Sequence, residues 1–274
     1  MLGEPMAATA FTDEILVLQV KNWQTADKYA VCFSRAHGKI VFLAYGARFA
    51  KSMAGRLVQP FAHLNATFYA GAKVDKLKAC ELLSQPPQLT LPQLGYAALL
   101  AEVTEQLTEQ GEEQEAVFDL LLQSLMVLRQ RNPRLVVLSS ILKLLDLCGI
   151  GPVYEVCVHC SRPTEEDAFF SEEQGGLICR DCYDASRAAL TSRLGERTAE
   201  GTVPGLPELR VPVRGLWQKL QSLDLEHLTP FTVRGRDLIE LERLVLSYLL
   251  YQTDRPLQSL EFLRQIGTGG GTPG

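Results

Sequence analysis

Residues 28–45 read Lys28-Tyr29-Ala30-Val31-Cys32-Phe33-Ser34-Arg35-Ala36-His37-Gly38-Lys39-Ile40-Val41-Phe42-Leu43-Ala44-Tyr45. Two apolar runs of strand length flank His37-Gly38, and glycine tolerates the positive φ that tight hairpin turns demand. Lys28–Ser34 alternates, with Tyr29, Val31 and Phe33 on one face, and Lys39–Tyr45 is β-branched and aromatic. The stretch predicts two strands joined as a hairpin.

The same reading extends outward on both sides. Glu14–Lys21 is a short apolar run. Leu64–Tyr69 sets Leu64, Ala66 and Phe68 against Asn65, Thr67 and Tyr69, and Lys76–Glu81 places Lys76 and Lys78 on one face. Gly46, Gly55 and Gly71 punctuate the rest. Five short strands between residues 14 and 81 predict a small barrel, of which the OB-fold is the common five-stranded case. Strand counting does not separate it from an SH3-like barrel.

Gln85-Pro-Pro-Gln-Leu-Thr-Leu-Pro92 marks a boundary. Beyond it Tyr96–Thr108, Glu112–Arg131 and Arg134–Cys148 carry apolar residues at helical spacing, with Pro133 suited to open the third and Gly149 and Gly151 to close it. A cysteine-rich insert follows, then a Gly/Pro-rich stretch at 195–215 that reads as a loop. Helices return near Val213–Leu223, Arg236–Tyr251 and Leu257–Gln265, and the Gly-rich tail has linker composition. The expected organisation is α+β and multidomain. It comprises a five-stranded barrel at 1–84, a helical domain at 92–152 and 185–266, a metal module at 153–184 and a flexible tail at 267–274.

Composition narrows the class. With 274 residues, 46% hydrophobic and 22% charged, the chain is globular in character. No apolar run approaches the roughly 20 residues that span a bilayer, and the first residues lack a basic region followed by an apolar stretch. A cytoplasmic protein with no membrane partner is expected. Seven cysteines, four of them in C-x-x-C pairs, favour a metal over disulfides.

Cys157-Val-His-Cys160 and Cys179-Arg-Asp-Cys182 give C-x2-C-x18-C-x2-C, the spacing of structural zinc. Two cysteines three apart turn both sulfurs to one point, and two such knuckles complete a tetrahedron. The expectation is one structural Zn²⁺ on Cys157, Cys160, Cys179 and Cys182, with His159 a bystander. Four thiolates leave no open position for catalysis, and their net charge near −2 makes the site a poor phosphate contact. Cys32, Cys80 and Cys148 lie in apolar contexts and read as inert thiols.

The net charge of −5 is unevenly distributed. Residues 1–84 hold ten basic and six acidic residues, a balance of +4; the other 190 hold 17 and 26, a balance of −9. Polyanions respond to local fields, so only the N-terminal part suits nucleic acid. It also carries ten of the 21 aromatics, of which Trp23, Tyr45, Phe49 and Tyr69 sit near loops or turn ends. The segment Gly46–Arg56 places three cations in nine residues. Cations that follow phosphates beside rings that stack on bases are the means by which barrels hold single strands. Arg48, Lys51, Arg56 and Lys39 are the expected phosphate contacts, with Lys28, Arg35, Lys76 and Lys78 as secondary ones. Catalytic signatures fail: there is no HExxH or GxSxG, and the glycine a P-loop needs before Lys51 is Ala50. A binding protein, not an enzyme, is expected.

These residues together resemble the RecO family of bacterial recombination mediators. Asp27-Lys28, His37-Gly38-Lys39-Ile40, Ala44-Tyr-Gly46-Ala47-Arg48, Lys51-Ser52 and Val58-Gln59-Pro60-Phe61 occur in order, followed by Leu-rich helices, the four-cysteine insert and Ser259-Leu-Glu-Phe-Leu. The resemblance covers nearly the whole chain, although the 195–215 stretch has no clear family counterpart. It implies an N-terminal OB domain, a helical domain and a zinc module. It also implies binding of single- and double-stranded DNA, annealing of complementary strands, and help in loading recombinase onto strands coated by single-strand-binding protein, in recombinational DNA repair. The implied partners are RecR and the C-terminal tail of the coating protein, in the bacterial cytoplasm at the nucleoid. That acidic tail needs a cation beside apolar residues, and Arg129, Arg131 and Arg134 are the densest basic group in the helical part. The competing readings are a zinc-stabilised adaptor whose barrel binds protein, and a barrel that binds RNA.

Overall fold

The computed structural model describes residues 9–194, 205–225, 227 and 232–268. Strands β1 (Ala10–Trp23), β2 (Asp27–Ser34), β3 (Gly38–Ala44), β4 (His63–Tyr69) and β5 (Asp75–Ser84) close into a barrel of order β1-β2-β3-β5-β4. Neighbours run antiparallel except β3 and β5, which meet in parallel at Phe42↔Asp75 and Leu43↔Lys76. This closed order is OB-like and decides between the two barrels that strand counting left open. β1 serves two partners, pairing with β4 from Ala10 to Leu16 and with β2 from Ile15 to Trp23, and a bulge between Val17 and Gln19 bends it.

Leu64, Ala66 and Phe68 fill the interior with Ile15, Val17, Ile40 and Phe42, as their alternation predicts. β2 behaves differently. Its small residues Ala30 and Cys32 face the interior, while Val31 and Phe33 are buried on the other face. A narrow barrel takes small side chains inside, and a second buried face needs a covering layer. Helix α3 supplies part of that layer. Gly38 follows the hairpin turn with φ +61°, and a Cβ there would lie 1.8 Å from Glu112 O, so only glycine lets the loop before α3 approach.

The helices are α1 (Met53–Leu57), α2 (Leu91–Leu107), α3 (Glu115–Leu128), α4 (Pro133–Leu147), α5 (Arg180–Leu194), α6 (Val211–Gln221), α7 (Gly235–Thr253) and α8 (Gln258–Thr268). Helix α1, absent from the sequence expectation, opens on Ser52, whose Oγ accepts from Gly55 N at 3.1 Å. Five residues are too few for a periodic signal.

Two compact units divide the chain: residues up to Ser140 with those from Leu257 onward, and Ile141–Pro256. In the first, α2, α3 and α8 join the barrel, so the expected boundary at Gln85–Pro92 separates elements but not units. Glu102 of α2 accepts from Gln258 N and Ser259 N, both at 2.8 Å, and so caps the start of α8.

The second unit contains a small antiparallel sheet of β7 (Gly176–Ile178), β6 (Ala168–Ser171) and β8 (Glu208–Leu209), in that order. Trp217, Phe170 and Tyr248 are buried together, with Phe170 5.6 Å from Trp217 and 5.7 Å from Tyr248 by ring centroid. The expected loop at 195–215 needs correction in its second half. Pro207 O accepts from Phe170 N, β8 follows, and Pro212 lies in the first turn of α6, where its missing N–H leaves no bond unmade. Residues 195–204, and 269–274 of the expected flexible tail, lie outside the described residues.

Candidate nucleic-acid interface and candidate metal centre

The interface begins with two loops tied together. Asp27 Oδ1 accepts from Gly46 N at 2.8 Å, Arg48 N donates to Ala26 O at 2.8 Å, and Arg48 Nη1 donates to Gln24 O and Thr25 O at 2.9 and 3.1 Å. The β1–β2 turn thereby pins the segment that follows β3. Behind it, Lys28 Nζ donates to Gly55 O and Val58 O at 2.8 and 2.9 Å and anchors α1; burial pulls this ammonium below its ordinary pKa. Four rings reach solvent: Phe49 at 68% exposure, Tyr45 at 56%, Trp23 at 45% and Tyr69 at 37%.

The eight expected cations separate into two kinds. Arg48, Lys51, Arg56, Lys76 and Lys78 are exposed and, among the described residues, pair with no carboxylate. Arg48, Lys51 and Arg56 share one segment. Arg56 Nη2 lies 3.6 Å from Met53 Sδ, and Lys78 Nζ sits 5.2 Å over the Tyr69 ring.

The other three are engaged internally. Arg35 Nε donates to Glu14 at 2.8 Å while Nη1 donates to Glu115 at 2.8 Å and Asp119 at 2.9 Å, and its guanidinium lies 4.5 Å from the Phe118 ring centroid. Those carboxylates, Glu14 foremost, raise its already high pKa. Lys39 Nζ donates to Glu105 O at 2.7 Å and to Thr108 O, at the end of α2 where carbonyls lack helical partners. With Lys28 on the carbonyls of α1, these contacts show Lys28, Arg35 and Lys39 tying the barrel to its helices and loops. Sequence cannot show this, because the acceptors lie up to 84 positions away. Sequence reading also passes over Lys73, exposed in the β4–β5 loop, although its place between two predicted strands marks it.

Next to Arg35 lies an acid cluster. Asp13 accepts from Ser34 Oγ, Ala36 N at 3.0 Å and Glu14 N at 2.8 Å, and pairs with His37 Nδ1 at 2.8 Å. Burial alone would raise its pKa, but these hydrogen bonds together outweigh burial and hold the carboxyl below its ordinary value. Glu14 is held down likewise, against its own burial, by Arg35 and His63.

The metal centre is built by two turns. Ser161 N donates to Cys157 O at 2.8 Å and Cys157 N to Arg162 O at 3.0 Å, folding the first knuckle; the second lies at the start of α5, with Cys182 in its first turn. The sulfurs of Cys157, Cys160, Cys179 and Cys182 lie within 4.8 Å of one another, and Cys160 and Cys179 are 3.9 Å apart. Sulfurs about 2.3 Å from a central ion form a tetrahedron with edges of about 3.8 Å. Electrostatics point the same way. A hydrogen bond from Arg162 brings the Cys160 thiol down to about 6, whereas sharing hydrogen bonds with Cys179 pushes Cys182 up to about 12. Four thiols so close cannot all ionise without a cation among them, so the donor set fits a metal ion. His159 is not in the group.

The N-terminal part matches the family description "Recombination protein O N terminal" over residues 6–86, and the following part matches "Recombination protein O C terminal" over residues 88–197. The chain is similar to the DNA repair protein RecO of Symbiobacterium thermophilum, 29% identical over 255 residues that cover 90% of this chain and 94% of the relative. It is 29% identical to the protein of that name from Pelotomaculum thermopropionicum, over 93% of both chains, and 27% identical to that of Moorella thermoacetica, over 94% and 91%. No described helix is long and apolar enough to cross a membrane.

Proposed function

For this chain, which belongs to the RecO family of DNA repair proteins, we propose a non-enzymatic, DNA-binding recombination mediator. It anneals complementary single strands and assists recombinase loading on strands coated by single-strand-binding protein. The observation that carries the reading is the segment Arg48–Arg56, a loop running into helix α1 and pinned to a closed OB-like barrel, where three cations stand exposed with no carboxylate partner among the described residues. Annealing needs no covalent chemistry. Two polyanions must meet, be screened and remain free to test register, and exposed cations of modest number supply screening with reversible affinity.

Arg48, Lys51 and Arg56 are the proposed phosphate contacts, with Lys76 and Lys78 extending the field along β5. The ion of the four-cysteine site is proposed to be Zn²⁺, structural because four thiolates leave no open position. RecR and the acidic tail of the coating protein are the proposed protein partners, and the acidic balance beyond residue 84 supports placing single- and double-stranded DNA on the barrel.

The test follows annealing of two labelled complementary DNA strands, bare and coated with single-strand-binding protein, at two salt concentrations. Salt-sensitive acceleration on coated strands is expected. Arg48→Ala with Lys51→Ala should weaken DNA binding alike across sequences and flatten the dependence of log affinity on log salt by roughly one to two units. No acceleration by wild-type protein on either kind of strand would overturn the mediator reading.

A further inference from the structure

We infer that the exposed Phe49 ring is a preformed platform for an unpaired nucleobase, and that this platform makes the barrel bind single strands more tightly than duplex. The inference rests on the DNA-binding reading above and assigns strand discrimination to residues distinct from the phosphate contacts.

The exposed ring is held in place. Gly46 has φ +62°, and a Cβ built on it would lie 3.2 Å from Phe49 Cδ2, so the ring rests against a backbone position kept open by glycine. Successive turns fix the loop: Phe49 N donates to Gly46 O at 3.1 Å, and Ser52 N donates to Phe49 O at 2.9 Å. Ala47 between them is buried, and Gly55 of α1 is packed so closely that a Cβ there would lie 1.9 Å from Ala47 O. Asp27 and Arg48 tie the loop to the β1–β2 turn, which begins just after Trp23; Trp23 in turn lies 5.8 Å from Tyr29 by ring centroid. The most exposed large apolar side chain of the barrel thus stands on a backbone held by hydrogen bonds on both sides.

Its surroundings select the ligand. Arg48 and Lys51, the cations nearest the ring in sequence, are exposed and have no carboxylate partner among the described residues, which suits an anionic ligand better than an apolar protein face. Arg48 uses Nη1 to hold its own loop, leaving Nη2 without a partner among the described residues. An exposed ring on the same short segment as two exposed cations matches a nucleotide: base on the ring, phosphates on the cations. Within a duplex the base faces are stacked on their neighbours and unavailable, while the phosphates stay accessible. Rings therefore read strandedness and cations do not.

The experiment measures binding by fluorescence anisotropy of three probes of equal length: an oligothymidylate, a base-free deoxyribose-phosphate strand and a duplex. Phe49→Ala should weaken the oligothymidylate by roughly 5- to 100-fold, the value of one stacked base. It should leave the base-free strand and the duplex within about twofold of wild type. Lys51→Ala should weaken all three, and Phe49→Trp should restore the single-strand preference. Gly46→Ala, which displaces the ring without removing it, should give a partial loss confined to the oligothymidylate. Equal weakening of all three probes by Phe49→Ala, or no weakening of any, would overturn the platform while leaving the DNA-binding reading intact; the second outcome would mark the ring as a protein contact. Wild-type protein that binds none of the probes would overturn both.

Discussion

The barrel and the four-cysteine module solve the same problem by opposite means. The barrel encloses Ile15, Val17, Phe42, Leu64 and Phe68 in a core from which water is excluded, so hydrophobic burial carries it. The module around Cys157–Cys182 has short strands and two tight turns; Phe170 and Leu177 between its knuckles are buried, and its four sulfurs lie within 4.8 Å of one another. A metal ion held by those sulfurs would add its binding free energy to the folding of the module. A charged surface also serves differently in the two places. On the barrel, Arg48, Lys51, Arg56, Lys76 and Lys78 are exposed with no carboxylate partner among the described residues, while at the module Arg162 leans on Cys160 Sγ at 3.4 Å and reaches Asp181 at the same distance. A core-built region can present charge outward because its stability lies elsewhere.

The largest expected effect breaks the comparison at the module. Cys157→Ser with Cys182→Ser should reduce bound metal from about one per chain to near zero, and proteases should then cleave between residues 157 and 194. Binding of the oligothymidylate by the barrel should stay within about twofold. Metal analysis and limited proteolysis check this, and a doubly substituted protein that keeps its metal would remove the assignment. The reciprocal experiment strikes the barrel core. Phe42→Ala or Phe68→Ala deletes a fully buried ring and should cost about 3–5 kcal/mol in denaturant unfolding.

A smaller effect separates engaged from free cations. Arg35→Ala leaves Glu14, Glu115 and Asp119 without their shared partner; because the network is partly exposed, the loss should be about 1 kcal/mol. Lys51→Ala should change stability by less than about 0.5 kcal/mol while weakening DNA. If both substitutions shift stability equally, the division between the two kinds of cation fails.

The smallest effect lies in pH. Asp13 and Glu14 are held below ordinary values of 3.8 and 4.5. Each contributes stability that is fully present above those values and is lost as pH falls through the depressed ones. Unfolding free energy should therefore drop below about pH 4.5, and Asp13→Asn should flatten that drop. Parallel profiles for the two proteins would show that Asp13 carries none of it.

Much of this was legible in residues near one another in sequence. The alternation in Leu64–Tyr69 placed the right residues inside, and the two C-x-x-C pairs located the metal site, because both signals depend on spacing of a few residues. Trp23, Tyr45, Phe49 and Tyr69 were expected near loops and turn ends, and all four are exposed. What failed to show had distant causes. The alternation in β2 is real, but the face carrying Val31 and Phe33 is the outer one, because α3, more than 80 positions further on, covers it. The expected loop at 195–215 contains a strand and a helix start because β6 offers Glu208 and Leu209 a partner.

The sequence by itself determined the five strands, the hairpin at His37-Gly38, the cysteine quartet and the basic character of the first 84 residues. Each follows from local spacing, turn chemistry or counting. Tertiary structure alone decided which cations are held by distant partners. Lys28, Arg35 and Lys39 look the same in sequence as Lys51 and Lys76, and only folding brings carbonyls of α1 and α2 and the carboxylates of β1 and α3 within bonding distance of the first three. A charge becomes structural or functional according to what the fold places beside it, because hydrogen bonding and Coulomb attraction act over a few ångströms whatever the separation along the chain.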